Sequence, residues 1–260
     1  MTKYENIKIK NWWIVVLMTI GLIIGSLAFA GLFYKGPFYF GRMPVELIRN
    51  TSVSLFVIFL VQKMKVFDFK LLFNFNKWVY LVLCIFALII MNNIYVDMGA
   101  GHELPIIFYE VGHNMSTGFY EELLIRGIIL ISLLSRFSVF KSVLISSLLF
   151  SVLHILNFIF GYQTFFHTFN QLLYSFGIGT IFAFLYLKLE NILVPIIFHG
   201  TMNFINTDYV EESVKGASTI VDGVEQFSLS VLAIICIFIS FYIYAKMVNS
   251  TKKYNSFYWN

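Results

Sequence analysis

Charged side chains are scarce in this sequence: they make up 12% of its 260 residues, against about 25% in soluble domains. Apolar residues account for 59%, and the mean hydropathy is +0.80. A soluble protein could not hide so much apolar surface, because much of any fold's exterior must face water. The composition therefore excludes an ordinary soluble enzyme, a disordered chain and a nucleic-acid binder with a basic face.

Cysteine is equally scarce, with only Cys84 and Cys236, each inside an apolar run. Two such cysteines exclude a disulfide framework, and their spacing is not that of a zinc site. The sequence also lacks a phosphate-binding glycine loop and a His-Glu-x-x-His motif. The class that remains is an all-α, polytopic membrane protein.

Long apolar runs follow one another along the whole chain. A hydrocarbon core about 30 Å thick needs roughly 20 apolar residues per helix, so these runs predict about eight transmembrane helices. No linker divides them, and residues 1–260 are therefore expected to form a single integral-membrane domain. The predicted spans are residues 12–33, 45–61, 78–96, 117–134, 143–160, 165–187, 192–205 and 227–245.

The cations are distributed unevenly between the connecting segments. Eight spans place both termini on one side, and the segments on that side hold thirteen Lys and Arg residues against four opposite. Since cytoplasmic segments of membrane proteins carry the excess of Lys and Arg, we expect both termini to be cytoplasmic in a multi-pass protein of the cell membrane. The thirteen cations lie in residues 1–11, 62–77, 135–142, 188–191 and 246–260.

A few polar residues remain inside the predicted spans. Burying a charge in a bilayer costs several kcal/mol, so each is a functional hypothesis. At 1.5 Å per residue, four of them on the fourth, fifth and seventh spans (Glu121, His154, His199 and Asn203) lie within about 10 Å of the outer face. This common height predicts a polar intramembrane site, with residues 117–206 as its core. The residues are Glu121, Glu122, Arg126, His154, His199 and Asn203.

The chemistry of this set allows two interpretations. A carboxylate beside an imidazole can deprotonate water, while a second imidazole and an amide can hold an oxyanion, which describes hydrolysis of a peptide bond. Alternatively, Glu121, His154 and His199 are the ligand set of a catalytic zinc, which would activate the water itself. Glu122 and Arg126 are four residues apart and share a helix face, as a neutralised structural pair would. These residues alone do not choose between the two mechanisms.

Three motifs in these spans resemble those of the CPBP family, also called Abi. Glu121-Glu122-Leu-Leu-Ile-Arg126 is similar to its Glu-Glu-x-x-x-Arg motif. Phe-x-x-x-His and His-x-x-x-Asn follow in the family's order, ending at His154 and Asn203, each on its own span. The family groups type II CAAX prenyl endopeptidases with bacterial bacteriocin-processing and immunity proteins.

The resemblance implies an intramembrane endopeptidase that cleaves a membrane-associated peptide or protein, in CAAX-type or in bacteriocin, pheromone or leader processing. By the family's pattern, Glu121 is the general base and works with His154 on the attacking water. His199 and Asn203 stabilise the oxyanion, and Glu122 pairs with Arg126. We favour the mechanism that requires no cofactor, with bound zinc as the alternative. The expected partners are the lipid bilayer and the substrate, and no nucleic acid.

Two other functions compete with this one. A non-catalytic bacteriocin-immunity or scaffold protein could use the same pocket for binding. A small-solute transporter is disfavoured by the absence of an internal repeat and of paired broken helices. Glu110 and His113 are assigned no site, and His113 is expected in or near an outer loop.

Overall fold

The structure, a computed structural model, describes residues 9, 11–34, 42–63, 69–161 and 163–205, with six single positions between 231 and 242. Every regular element in this part of the chain is helical, and no strand occurs in it. The elements are α1 Trp12–Tyr34, α2 Arg42–Lys63, a 3₁₀ turn Phe69–Leu72, α3 Lys77–Gly99, α4 Leu104–Glu122, a π-helical segment Leu123–Leu130, α5 Ile131–Leu134, α6 Val139–Leu153, α7 Ile155–Ile159, α8 Phe165–Leu189 and α9 Leu193–Ile205.

Within the described residues, five helical stretches are long and apolar enough to cross a membrane. They are Trp12–Gly31, Pro44–Lys63, Lys77–Gly99, Val139–Ile159 and Phe165–Leu189. These match the first, second, third, fifth and sixth predicted spans, and they support a multi-pass membrane protein. The seventh corresponds to the shorter apolar helix α9. The eighth, 227–245, lies outside the described residues except for single helical positions, so the total of eight stays a prediction.

The fourth predicted span, 117–134, is part of a longer helical path that begins at Leu104 and continues through the π-helical segment and α5. Pro105 lies in the first turn, where its fixed φ suits a helix start and its missing N–H costs nothing. Glu110, His113 and Asn114 interrupt the apolar pattern of this helix in the sequence. The expectation that His113 lies in or near a loop is wrong, because it lies on α4. Residues 122–134 are buried throughout.

The described helices form two compact units. The first contains α1 to α5, the end of α8 and α9, and within it α4 packs most extensively against α9. The second contains α6, α7 and α8 as far as Leu185. Within this second unit, the Ser151 hydroxyl donates to the Leu172 carbonyl oxygen at 2.6 Å, which fastens α6 to α8. The single integral-membrane domain and its core at 117–206 stay predictions.

Two glycines allow α4 and α9 to approach each other closely. A Cβ atom at Gly118 would lie 2.7 Å from the carbonyl oxygen of Ile196 and 2.8 Å from the backbone nitrogen of Gly200. A Cβ at Gly200 would in turn lie 3.0 Å from the Cα of Met115. Because backbone atoms form the obstruction, no change of rotamer relieves it. The crossing places the end of α4 beside the middle of α9.

We predict that Gly118→Ala destabilises the protein by about 1–3 kcal/mol, the usual cost of overpacking a core. Gly112 on the same helix is the matched control, since a Cβ there meets nothing within 4 Å. Gly112→Ala should leave stability unchanged or raise it by up to about 1 kcal/mol, because alanine favours the helix. Thermal unfolding in detergent checks this, and equal midpoints for the two variants would contradict the close crossing.

Candidate active site

The two adjacent glutamates of the first motif end α4, where the helix continues as the π-helical segment. Segments of π-helix occur frequently at functional sites. The side chain of Glu121 is 25% exposed, whereas that of Glu122 is fully buried. The first carboxylate can therefore meet a ligand, and the second faces only protein.

The Glu122 carboxylate joins two other groups through one oxygen atom. Its Oε1 lies 3.1 Å from an Arg126 side-chain nitrogen and accepts a hydrogen bond of 3.0 Å from His199 Nδ1. The Arg126 side chain is also fully buried. A buried carboxylate needs such compensation, because it has lost its hydration. The oxygen thus links α4, the π-helical segment and α9.

The imidazole of His199 lies between the two carboxylates. Because its Nδ1 donates to Glu122, its other nitrogen, Nε2, faces Glu121 Oε2 at 3.7 Å. This distance is longer than a hydrogen bond, and the contact becomes an ion pair only when His199 carries a second proton. Glu121 Oε2 has no hydrogen-bond partner among the described residues.

Asn203 follows His199 by four residues and lies one turn further along α9. Residues at this spacing share a helix face. Its side chain is half-buried, close to the end of the helix at Ile205. The His-x-x-x-Asn spacing therefore places an imidazole and an amide one above the other.

His154 occupies a turn between α6 and α7. Its Nδ1 lies 2.9 Å from the carbonyl oxygen of Phe150, and its ring meets the Phe150 ring edge-on at 4.9 Å between centroids. A carbonyl oxygen only accepts, so Nδ1 carries a proton, and in the neutral ring Nε2 is the basic nitrogen. Phe150 thus fixes both the tautomer and the ring plane of His154, which explains the Phe-x-x-x-His spacing. This pair belongs to the second unit, whereas the other five candidate residues belong to the first.

The first unit contains only two of the three zinc ligands that the sequence suggested, Glu121 and His199. A carboxylate oxygen of Glu121 and the Nε2 of His199, 3.7 Å apart, are atoms of the types that bind zinc. The third ligand of the sequence interpretation, His154, belongs to the second unit. Across the described residues, no group of three or more His, Cys, Asp or Glu side chains is arranged to hold a metal ion. The zinc site therefore stays a hypothesis.

One polar residue near this cluster was missed by the sequence analysis. Asn50 on α2 is 1% exposed, and its amide donates to Thr117 Oγ1 at 3.0 Å and to Ser116 Oγ at 3.3 Å. It thereby fastens α2 to α4 one turn before Glu121. The available signal was an amide side chain inside the second predicted span, and the sequence analysis assigned it no role.

Fold and site together define a polytopic α-helical membrane protein that carries a glutamate–histidine cluster. Residues 103–205 match the family described as Rce1-like, type II CAAX prenyl endopeptidase. This match includes the three motifs and supports the resemblance to the CPBP family. This is a protease family, which supports a peptidase, and the match contains all six candidate residues. No curated protein matches the chain.

We predict that Arg126→Met lowers the free energy of unfolding by about 3–5 kcal/mol, because it leaves the buried Glu122 carboxylate without its cationic partner. The double variant Glu122→Gln with Arg126→Met should recover part of this loss, because no charge then stays buried. Arg136→Met is the control: Arg136 is exposed, and surface changes usually stay within about 0.5 kcal/mol. Chemical denaturation in detergent checks the series, and an Arg126→Met variant as stable as wild type would contradict a buried ion pair.

Proposed function

We propose that this protein is an intramembrane endopeptidase that hydrolyses a peptide bond by water activation. The observation that carries the proposal is the imidazole of His199 held between a buried and a part-exposed carboxylate. Such a cluster moves protons and stabilises charge, which peptide hydrolysis requires. The match of residues 103–205 to the Rce1-like endopeptidase family supports a protease activity.

In the proposed reaction, Glu121 takes a proton from a water molecule, whose oxygen attacks the carbonyl carbon of the scissile bond. The basic Nε2 of His154 orients this water. The carbonyl oxygen becomes an oxyanion, which accepts hydrogen bonds from Nε2 of His199 and from the amide of Asn203. When the C–N bond breaks, the leaving nitrogen receives the proton held by Glu121.

The proposed role of His199 requires two protons on its ring. Its Nδ1 already donates to Glu122, so a second proton is needed for Nε2 to donate to the oxyanion. The carboxylates of Glu121 and Glu122 favour the imidazolium by direct attraction. Arg126 holds Glu122 in place and is a positioning residue.

The proposed substrate is a membrane-associated peptide or protein. The family description points to CAAX-type processing, and cleavage of a bacteriocin, pheromone or leader precursor is the second substrate class. The five candidate spans imply that the bilayer surrounds the enzyme and presents this substrate.

We predict that Glu121→Gln abolishes proteolysis, because glutamine cannot accept the proton from water. Wild-type and variant proteins are expressed at matched levels, and new peptide termini from membranes and medium are quantified by mass spectrometry. Asn203→Ala should lower the rate by about 10²–10³-fold, as loss of an oxyanion donor does. Glu110→Gln is the control, since it replaces a buried carboxyl on the same helix outside the cluster.

Termini that vanish with Glu121→Gln and persist with Glu110→Gln would identify the substrate. Identical termini in wild type, Glu121→Gln and Glu110→Gln would contradict the peptidase and favour the non-catalytic immunity or scaffold protein. The chelator 1,10-phenanthroline separates the two mechanisms, because the cofactor-free reaction proceeds in its presence. Loss of activity that returns with added zinc would instead assign Glu121, His154 and His199 as metal ligands.

We further propose that both termini are cytoplasmic, on the strength of the thirteen cations on that side. In a background without Cys84 and Cys236, a cysteine at Lys70 should react with a membrane-impermeant maleimide only after the cells are opened. A cysteine at His102, in the loop between α3 and α4, should react in intact cells. The reverse pattern would invert the orientation.

A further inference from the structure

An arginine on α2, Arg49, lies close to the glutamate–histidine cluster. Arg49 donates from Nε and from a terminal nitrogen to Asn50 Oδ1, at 3.1 and 2.7 Å. Its guanidinium carbon lies 5.2 Å from the centre of the Tyr120 ring. The Tyr120 hydroxyl lies 3.1 Å from Ser26 Oγ, which holds the ring in place. Within the described residues, no carboxylate forms an ion pair with Arg49.

The other charged groups nearby are already engaged. Glu46 precedes Arg49 by one turn on α2, and it accepts a hydrogen bond of 3.0 Å from Nε2 of His113. The buried Arg126, by contrast, has its carboxylate within 3.1 Å. A guanidinium has five N–H donors, so after its bonds to one neutral amide Arg49 retains donors for a second group. Arg49 is also half-buried rather than enclosed, which leaves it accessible to a ligand.

The position of Arg49 relates it to the site of cleavage. Asn50, which holds the guanidinium, is bonded to Thr117, one helical turn or about 6 Å before Glu121. Tyr120, on which the guanidinium stacks, is the neighbour of Glu121 in the chain. An extended peptide advances about 3.3 Å per residue, so about two residues span this rise of about 6 Å.

We propose that Arg49 binds a carboxylate of the substrate, a few residues from the scissile bond. The guanidinium fork matches a carboxylate in two parallel hydrogen bonds, and stacking on Tyr120 orients it in advance. The carboxylate is supplied by the C-terminus of the peptide or by an Asp or Glu side chain. This inference rests on the proposed endopeptidase function, and it adds a determinant of which bond is cleaved.

Binding to the full-length protein in phosphatidylcholine nanodiscs tests the proposal. The probe is a dansylated S-farnesyl tetrapeptide, Cys-Val-Ile-Met, prepared as the free acid and as the C-terminal amide, two forms of a C-a-a-X end. Glu121→Gln prevents turnover during the measurement. The acid should bind at least about tenfold tighter than the amide, as a charge-assisted hydrogen bond gives. An amide probe ending in Asp regains this affinity if a side-chain carboxylate is accepted.

Arg49→Gln should remove the preference for the acid, and Arg49→Lys should keep part of it. Lys63→Gln is the matched control, because it removes a cation at the other end of α2, where Lys63 lies over the ring of Phe59. Equal binding of acid and amide, or no binding of either, would overturn the inference. Equal binding is the result expected if Arg49 binds a lipid phosphate instead. Arg49→Gln weakening both forms alike would also overturn it, because the role would then be structural.

Cleavage assays with the protein that retains Glu121 distinguish a failure of this inference from a failure of the proposed function. If acid and amide are cleaved equally well and only when Glu121 is present, the endopeptidase stands and the carboxylate site falls. If neither is cleaved while the acid preference persists and depends on Arg49, the carboxylate site stands for a binding protein. That second result would overturn the endopeptidase for this class of peptide.

Discussion

One buried carboxylate oxygen, Oε1 of Glu122, organises the first unit. It lies within 3.1 Å of the Arg126 guanidinium and of His199 Nδ1, and so connects two helical segments of the same path to α9. Removing one partner of a buried charge costs about 3–5 kcal/mol, so the arrangement depends on both partners of Glu122. The orientation of the His199 ring follows from it, and with that ring the placement of Nε2 opposite Glu121.

The two histidines are oriented in the same way by different acceptors. Each is fixed through Nδ1, His154 by the Phe150 carbonyl oxygen and His199 by the Glu122 carboxylate. The difference between the acceptors separates their proposed roles. A neutral carbonyl gives the ring no charge partner, whereas a carboxylate favours a ring that carries a second proton and donates.

The class of protein could be predicted from the sequence, because apolar runs of 20 residues have few alternatives to a membrane helix. The candidate residues could be found because charged and amide side chains stand out in such runs. The start of α4 could not, since Glu110 and His113 interrupt its apolar pattern two to three turns in and resemble a loop. The contact of Glu122 with His199 was equally hidden: spacing pairs Glu122 with Arg126 on the same helix, and says nothing about a helix 77 residues away.

The close crossing at Gly118 and Gly200 affects how a complete mutational scan of this protein would be interpreted. Every substitution at these codons adds at least a Cβ, and the atoms in its way are backbone at Gly118. Such positions would rank with Glu121 in a map of intolerance, although they take no part in the chemistry. Intolerance to substitution alone would therefore not distinguish the residues of the α4–α9 contact from the reacting groups. Only the difference between variants that fold without activity and variants that fail to accumulate would separate the two.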